Sequence, residues 1–243
     1  MSRRQYAIHR WLGAIVGVQL FLWCLGGFIF AIHDIDHVRG TTGMKSAPPP
    51  ALATHEVALT PKEAAAVAAA SGEALTIELR PLLDRPVYEV HTEGDTTVVD
   101  AATGEVLSPI GEQKAVALAL ADREGDPAIN NVSLVESEPP IEYRGGPLPA
   151  WRVELEDGNG THVWIAADSG RITARRNDAW RRFDFFWMLH TMDYGGRDDF
   201  NHPIIIAFAA LSLITIGTGG VLWGIRIRRR VVRRRRRAVI AQR

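Results

Sequence analysis

Cysteine is almost missing from this sequence, and its scarcity excludes several kinds of site. Cys24 is the single cysteine among 243 residues, and it lies inside a long apolar run. One cysteine supports neither a disulfide framework nor a C-x-x-C-H attachment for c-type haem nor a thiolate cluster. Any folded domain in this chain therefore depends on its own apolar core.

Charge is missing from two long stretches, and acidic residues are missing from both ends. The runs Trp11–Ile32 and Pro203–Ile225 contain no charged side chain, and all 28 acidic residues lie between them. The ends carry thirteen arginines. The middle segment has 28 acidic against 15 basic side chains, a formal charge of −13 that the net charge of zero conceals.

The two runs are long enough to cross a membrane. A helix of 22 or 23 residues is about 33 Å long, against about 30 Å for a hydrocarbon core. Arginine beside a span marks its cytoplasmic side, which predicts an N-in, C-in protein with residues 33–202 outside the cytoplasm. A cleaved signal peptide is the alternative for the first run, but its length and the lack of a clear A-x-A site favour an uncleaved anchor.

The arginine-rich tail over residues 226–243 has two interpretations. Nucleic-acid binding is one, but the tail directly follows a span, which favours a role in topology and in contacts with anionic lipid. The sequence therefore predicts a membrane partner and no nucleic acid.

Between the runs, the sequence predicts a tether over residues 33–56 and then a folded domain. Thr60, Pro61 and Glu63 are a helix start signal, and this helix is predicted to reach about Ser71. Short strands are predicted at Leu75–Arg80, Val87–His91, Thr96–Asp100 and Glu105–Leu107. A second helix at Glu112–Asp122 is followed by strands near Val132–Val135, Trp151–Glu156, Thr161–Ala166 and Arg171–Thr173.

These elements form a pattern that occurs twice. Pro86-Val-Tyr88-Glu-Val90 corresponds to Pro149-Ala-Trp151-Arg-Val153, and a turn at Thr103-Gly104 corresponds to one at Ser169-Gly170. We predict an α+β domain of two helix-plus-antiparallel-hairpin repeats, residues 57–110 and 111–176. For the turn residues the pattern favours a purely structural role.

The repeated motif resembles the PepSY module, and the flanking segments resemble the PepSY-associated transmembrane family. His9-Arg10-Trp11-Leu12-Gly13 is similar to that family's H-R-W-x-G opening. Leu189-His190 is similar to its L-H motif, and Gly219-Gly220-Val221-Leu222-Trp223 to its closing G-x-x-L-W.

The resemblance implies a bacterial inner-membrane protein linked to iron uptake and to reduction of ferric siderophores. In larger members, haem is held by membrane-embedded histidines, and PepSY modules elsewhere are associated with peptidase regulation and binding in the cell envelope. Reductase-like members typically have four spans, whereas this chain has two. If the protein is an enzyme, the resemblance implies an oxidoreductase of the ferric reductase type.

Four histidines are predicted to gather at the outer membrane face: His33, His37, His190 and His202. Neutral imidazole suits iron, copper or zinc. We predict haem b bound by His190 with His33 or His202, or a transition-metal site at His33 and His37, which would share one face if the helix continued past the span. The alternative is that these residues are polar groups at a wet interface.

His9 lies at the opposite end of the first span from these four histidines. It lies 24 residues before His33, about 36 Å along a continuous helix, so the two cannot share one iron. A haem at His9 would need a homodimer or another membrane subunit. Gly13-x-x-x-Gly17 and Gly220-x-x-x-Gly224 allow close helix approach within or between chains.

Two functions are compatible with this sequence. Residues 177–202 are predicted to form an interfacial amphipathic segment before the second span, and the domain before it faces the envelope. Motifs for nucleophilic, zinc-dependent or nucleotide chemistry are lacking. We therefore expect a binding or regulatory module for a periplasmic protein or peptide, with a haem-b electron-transfer or ferric-reductase component as the alternative.

Overall fold

The structure, a computed structural model, describes residues 3–45, 56–68 and 72–241. The proline-rich part of the predicted tether and the predicted helix end at Ser71 lie outside these residues. The helices are α1 (Arg3–Ile32), α2 (Ile35–Arg39), α3 (Pro61–Ala68), α4 (Glu112–Asp122), α5 (Asp178–Thr191) and α6 (Pro203–Ala241). The strands are β1 (Thr76–Leu82), β2 (Arg85–His91), β3 (Thr96–Asp100), β4 (Ala128–Val135), β5 (Ala150–Glu156), β6 (His162–Ala166) and β7 (Ile172–Arg176).

The chain divides into two compact units. One contains Met1–Ile32 and Asp184–Arg243, and the other is His33–Phe183. We call the first the helical unit and the second the α+β unit. This confirms a mixed α+β protein with two long apolar helices.

In the helical unit, α1 and α6 are antiparallel neighbours. His9 approaches Thr218, and a side chain at Gly13 would contact Thr215. The segments long and apolar enough to cross a membrane are His9–Ile32 and Pro203–Arg234, each with a mean hydropathy of 2.2. The helix α6 does not end with the apolar run but continues to Ala241, because arginine is a good helix former and no glycine or proline follows Gly224.

The first long helix does not continue through the predicted His33–His37 pair. α1 ends at Ile32, and Asp34 begins the short α2 by accepting the Asp36 backbone N–H at 2.9 Å. α2 ends at Gly40, whose φ of 71° is left-handed. A side chain at Gly40 would come within 3.0 Å of Arg175 Cβ, so this turn packs directly against β7.

The α+β unit contains two antiparallel sheets. Sheet 1 has the order β1-β2-β3, and sheet 2 has the order β4-β5-β6-β7. The predicted helix start at Thr60 is a capping box: the Thr60 backbone N–H donates to Glu63 Oε2 at 2.7 Å, and the Glu63 N–H donates to Thr60 Oγ1 at 3.3 Å. The predicted segment Glu105–Leu107 forms only an isolated bridge beside β3.

The core of this unit lies between the two sheets, with α4 packed into it. Val87 and Val98 of sheet 1 share one buried cluster with Leu118 of α4 and with Val163 and Ile165 of sheet 2. The other face of sheet 1 carries Tyr88, Val90, Val99 and Ala101, which pack against Ala64 and Ala68 of α3. Because successive side chains of a strand point to opposite faces, sheet 1 packs against sheet 2 with one face and against α3 with the other.

Equivalent backbone hydrogen bonds occur at corresponding places in the two sheets. Gly104 N–H donates to the Asp100 carbonyl at 2.9 Å, and Gly170 N–H donates to the Ala166 carbonyl at 2.8 Å. Beside them, the residue after each strand bonds back to a proline carbonyl: Ala101 to Pro86 at 3.0 Å and Ala167 to Pro149 at 2.9 Å.

Candidate functional site

The α+β unit contains a cleft of about 330 Å³ beside sheet 1. Its apolar wall comes from α3, the segment after β3 and two prolines, and its polar wall comes from the start of β3 and the β6–β7 turn. The described lining residues include no lysine, arginine or histidine; they are Val67, Ala68, Asp95, Thr96, Thr97, Val106, Ser108, Pro109, Pro149 and Asp168. Val67 and Val106 remain 39% and 46% exposed, so the cleft has apolar residues at its rim.

The backbone edge of β3 beside this cleft is already occupied. The Val98 carbonyl accepts the Leu107 N–H at 2.8 Å, and the Val98 N–H donates to Ser108 Oγ at 2.8 Å. Asp100 N–H donates to the Glu105 carbonyl at 2.9 Å. A ligand in the cleft would therefore be recognised by side chains and not by adding a strand at Val98–Asp100.

Asp168 contributes a carboxylate to the cleft. Its Oδ1 is buried and has no hydrogen-bond partner among the described residues. The turn that carries it is closed by other groups, namely the Gly170–Ala166 backbone bond and the Ser108 hydroxyl, which donates to the Asp168 carbonyl. The turn pattern in the sequence predicted a structural role only and gave no signal for the carboxylate.

A second carboxylate, Glu89, lies almost fully buried on β2. Its side chain is 1% exposed and forms ion pairs with Arg80 of β1 and Arg171 of the β6–β7 turn, the latter at 2.9 Å. Burial alone raises the pKa of Glu89, but the two guanidinium groups outweigh it, and the pKa lies below its usual value. This network joins the two sheets, and its function in the fold is structural.

The predicted ligand His190 lies in the last turn of α5, enclosed by aromatic rings. Its ring centroid is 6.0 Å from that of Trp23, 5.8 Å from Phe30 and 6.5 Å from Trp187. Nδ1 of His190 is buried without a hydrogen-bond partner among the described residues. A Cβ at Gly26 would lie 3.7 Å from this nitrogen, so the ring sits against the backbone of α1.

Side chains from outside α5 complete the hydrogen bonds of its last turn. Gln19 Nε2 donates to the Leu189 carbonyl at 3.0 Å, and Trp23 Nε1 donates to the carbonyl of His190 at 2.8 Å. The carbonyl oxygen of Thr191 lies 2.8 Å from Nε2 of His202. Such groups otherwise lack intrahelical partners. Gln19 and Trp23 both belong to the first candidate span, so this end of α5 packs against α1.

The loop between α5 and α6 is built around Asp193. Its carboxylate accepts backbone N–H groups from Gly195, Gly196, Asp198 and Asp199 at 3.1–3.2 Å. These hydrogen bonds hold the pKa of Asp193 below its usual value. The loop is also tied to α5, because Trp187 Nε1 donates to the Arg197 carbonyl at 3.0 Å.

The other predicted haem ligands of the helical unit are engaged elsewhere. His202 uses Nε2 at the Thr191 carbonyl, which leaves Nδ1 as its remaining nitrogen. His9 Nδ1 lies 3.1 Å from Thr218 Oγ1. Because His190 packs against Gly26, His9 is about 25 Å away along α1, and the two cannot bind one iron in the same chain.

His33 and His37, the predicted metal pair, belong to the α+β unit. The break between α1 and α2 separates them, so they do not share the face of one helix. His37 Nδ1 lies 3.2 Å from Thr42 Oγ1, and its carbonyl accepts Asn177 Nδ2 at 2.7 Å. Within the described residues, no group of three or more His, Cys, Asp or Glu side chains is placed to hold a metal ion.

Comparison with known protein families gives one match, which covers nearly the whole chain. The model of the PepSY-associated TM region matches residues 6–243. The chain belongs to this family. No curated protein sequence and no solved structure matches it. As a PepSY-associated TM protein with two long apolar helices, it is a membrane protein.

Several important residues of this PepSY-associated TM protein had weak signals in the sequence. Gln19 is the most polar side chain of the first apolar run, which was a usable indication of a buried contact. Trp23 had no such signal, because tryptophan in a span is also typical of lipid contact. Asp168 could not be found without knowing that its turn is closed without its carboxylate.

Proposed function

We propose that this PepSY-associated TM protein is a binding or regulatory protein of the bacterial inner membrane, with its α+β unit in the periplasm. Family membership and the two candidate spans support the membrane assignment. Arginines beside the outer ends of both spans support the N-in, C-in orientation. The matching turn hydrogen bonds of the two sheets support the interpretation of the unit as two PepSY-like repeats.

The observation that carries the binding function is the cleft beside sheet 1. It combines a volume of about 330 Å³ with exposed valines at its rim and carboxylate and hydroxyl groups inside. A concave site with an apolar lining and a few polar groups is the usual form of a ligand pocket. A role in iron or redox handling remains a prediction from the family resemblance.

Site-specific photo-crosslinking in cells tests the binding function. A benzophenone amino acid replaces Val67 or Val106 in the full chain, and a matched probe replaces Ile141, which is 39% exposed but outside the cleft. We expect a discrete adduct from both cleft positions and none from Ile141. Adding Val106→Trp to the Val67 probe should remove the adduct by filling the cleft. Equal labelling at all three positions, or no adduct, would contradict the proposal.

Haem-b electron transfer is the second candidate, because His190 has a buried ring nitrogen for which the described part of the chain offers no partner. The residues fit a haem only in part. His190 offers one imidazole, whereas His202 uses its Nε2 and His9 is too distant. The predicted second ligand within one chain is therefore His33 or the remaining Nδ1 of His202, and only a haem at His9 would need a second chain or another subunit. The test is the absorption spectrum of protein purified from haem-replete cells: a Soret band lost in His190→Ala supports this candidate, and a colourless preparation eliminates it.

A further inference from the structure

We propose that the cleft accepts a basic side chain of a peptide segment, with Asp168 as its counter-ion. This inference rests on the proposed binding function and names the class of ligand. It starts from Asp168, a partly exposed lining residue whose buried Oδ1 lacks a hydrogen-bond partner among the described residues, and from a cleft lining without a cation.

The corresponding turn of sheet 1 shows that the Asp168 carboxylate is not needed to build its own turn. There, Asp100 Oδ1 accepts the N–H groups of Ala102 and Thr103 at 2.9 and 3.0 Å. In the second turn, Ala166 stands at the position of Asp100, and Asp168 stands at that of Ala102. The same turn is therefore closed without a side-chain carboxylate, which leaves Asp168 available to a ligand.

The energetics favour a cationic ligand at this position. Asp168 is a partly exposed lining residue with one oxygen buried and without a donor, and a cation beside the exposed part of its carboxylate offsets the desolvation of the negative charge. Asp95 adds a second carboxylate to the lining, while its Oδ1 accepts the Thr96 N–H at 2.8 Å. The formal charge of −13 between the two apolar runs adds long-range attraction for basic segments.

The shape of the cleft favours a lysine or arginine side chain over a free ion. Val67, Val106 and Pro149 provide apolar surface on which methylene groups can pack. A charged head on such a stem would reach Asp168 inside the cleft. The lack of a three-ligand group among the described residues argues against a bound metal ion at the same place.

Binding of two matched peptides to the full chain in nanodiscs tests this inference. The probes are a fluorescently labelled, end-blocked Gly-Ala-Lys-Ala-Gly and its norleucine analogue, which has the same length without the charge. We expect the lysine peptide to bind at least about 10-fold more tightly. Asp168→Asn should remove most of that difference, and Asp126→Asn, an exposed control with 80% side-chain exposure, should not.

Each other result contradicts the inference in a recognisable way. Equal binding of the two peptides, lost in Val106→Trp, would leave the cleft as a binding site but exclude recognition of a basic side chain. The same conclusion follows if neither peptide binds up to about 1 mM while the crosslinks at Val67 and Val106 form in cells. If neither peptide binds and no crosslink forms, the proposed function fails as well. An unchanged melting temperature of Asp168→Asn would show that its effect on binding is not due to unfolding.

Discussion

Trp23 donates its indole N–H to the main-chain carbonyl of His190, with 2.8 Å between Nε1 and the oxygen. Gln19, one turn earlier on α1, makes the equivalent bond to Leu189. These bonds replace the intrahelical partners that the last turn of α5 lacks. The end of α5 is therefore held by specific polar atoms of an otherwise apolar helix.

Trp23→Phe should loosen this end of α5 while keeping an aromatic ring in place. The lost bond leaves the His190 carbonyl without its donor, at a cost of about 1 kcal/mol. Hydrogen exchange of the amides in residues 186–192 should become about 5-fold faster. The matched control is Trp11→Phe, because Trp11 is 65% exposed. Equal exchange in both variants would contradict a role for the indole N–H.

Glu89→Gln should strongly destabilise the α+β unit. The substitution removes the charge that pairs with Arg80 and Arg171 while keeping the side-chain volume. Arg80, whose side chain is 11% exposed, loses its carboxylate, whereas Arg171 is 44% exposed and keeps Glu78. The expected loss is therefore about 3 kcal/mol, at the lower end for a broken buried ion pair. Denaturant unfolding followed by tryptophan fluorescence measures the change. Glu105→Gln, at an exposed position, is the control and should lie within about 0.5 kcal/mol of the native protein.

The Glu89 carboxylate should make the free energy of unfolding depend on pH. The pKa of Glu89 in the folded protein lies below its usual value of 4.5. Its stabilising contribution is therefore fully present above about pH 4.5 and is lost as the pH falls through the lower folded value. The free energy of unfolding should decline below pH 4.5, and Glu89→Gln should show a shallower decline. Parallel curves for the two proteins would refute this assignment.

The sequence predicted the regular elements well where local signals were strong. α4 has its predicted bounds, Glu112–Asp122, and β3 has its predicted bounds, Thr96–Asp100. The α3 start follows from capping chemistry that acts within four residues. Glu105–Leu107 fails as a strand because Ser108 Oγ, and not another backbone group, takes the next hydrogen bond of β3.

The candidate sites were harder to predict, because they depend on contacts far apart in the chain. The contact between Trp23 and His190 spans 167 residues, and no local pattern encodes it. The histidines were identified as candidates from their residue type, yet His202 uses its Nε2 to cap α5, and a helix break separates His33 from His37. Asp168 becomes a candidate only when the turns after β3 and β6 are compared in three dimensions.

The two polar atoms of the Asn177 side chain have separate roles, which two substitutions can distinguish. Its Oδ1 accepts the Trp180 N–H at 2.7 Å and caps α5, while its Nδ2 donates to the His37 carbonyl at 2.7 Å. Asn177→Asp keeps the cap and loses the donor, whereas Asn177→Ala loses both. We expect about 1–2 kcal/mol of destabilisation from the aspartate and a larger loss, by about 1 kcal/mol, from alanine. Thermal unfolding of the full chain measures both, and equal losses would mean that the cap contributes nothing.

Cysteine labelling tests the predicted orientation of the chain in the membrane. In a Cys24→Ser background, Glu136→Cys places a thiol at an exposed position of the α+β unit, and Arg230→Cys places one on α6 beyond the apolar run. A membrane-impermeant maleimide should label Glu136→Cys in intact spheroplasts and should label Arg230→Cys only after lysis, because arginine-rich flanks remain in the cytoplasm. Labelling of Arg230→Cys in intact spheroplasts, with Glu136→Cys protected, would invert the topology and place the cleft in the cytoplasm.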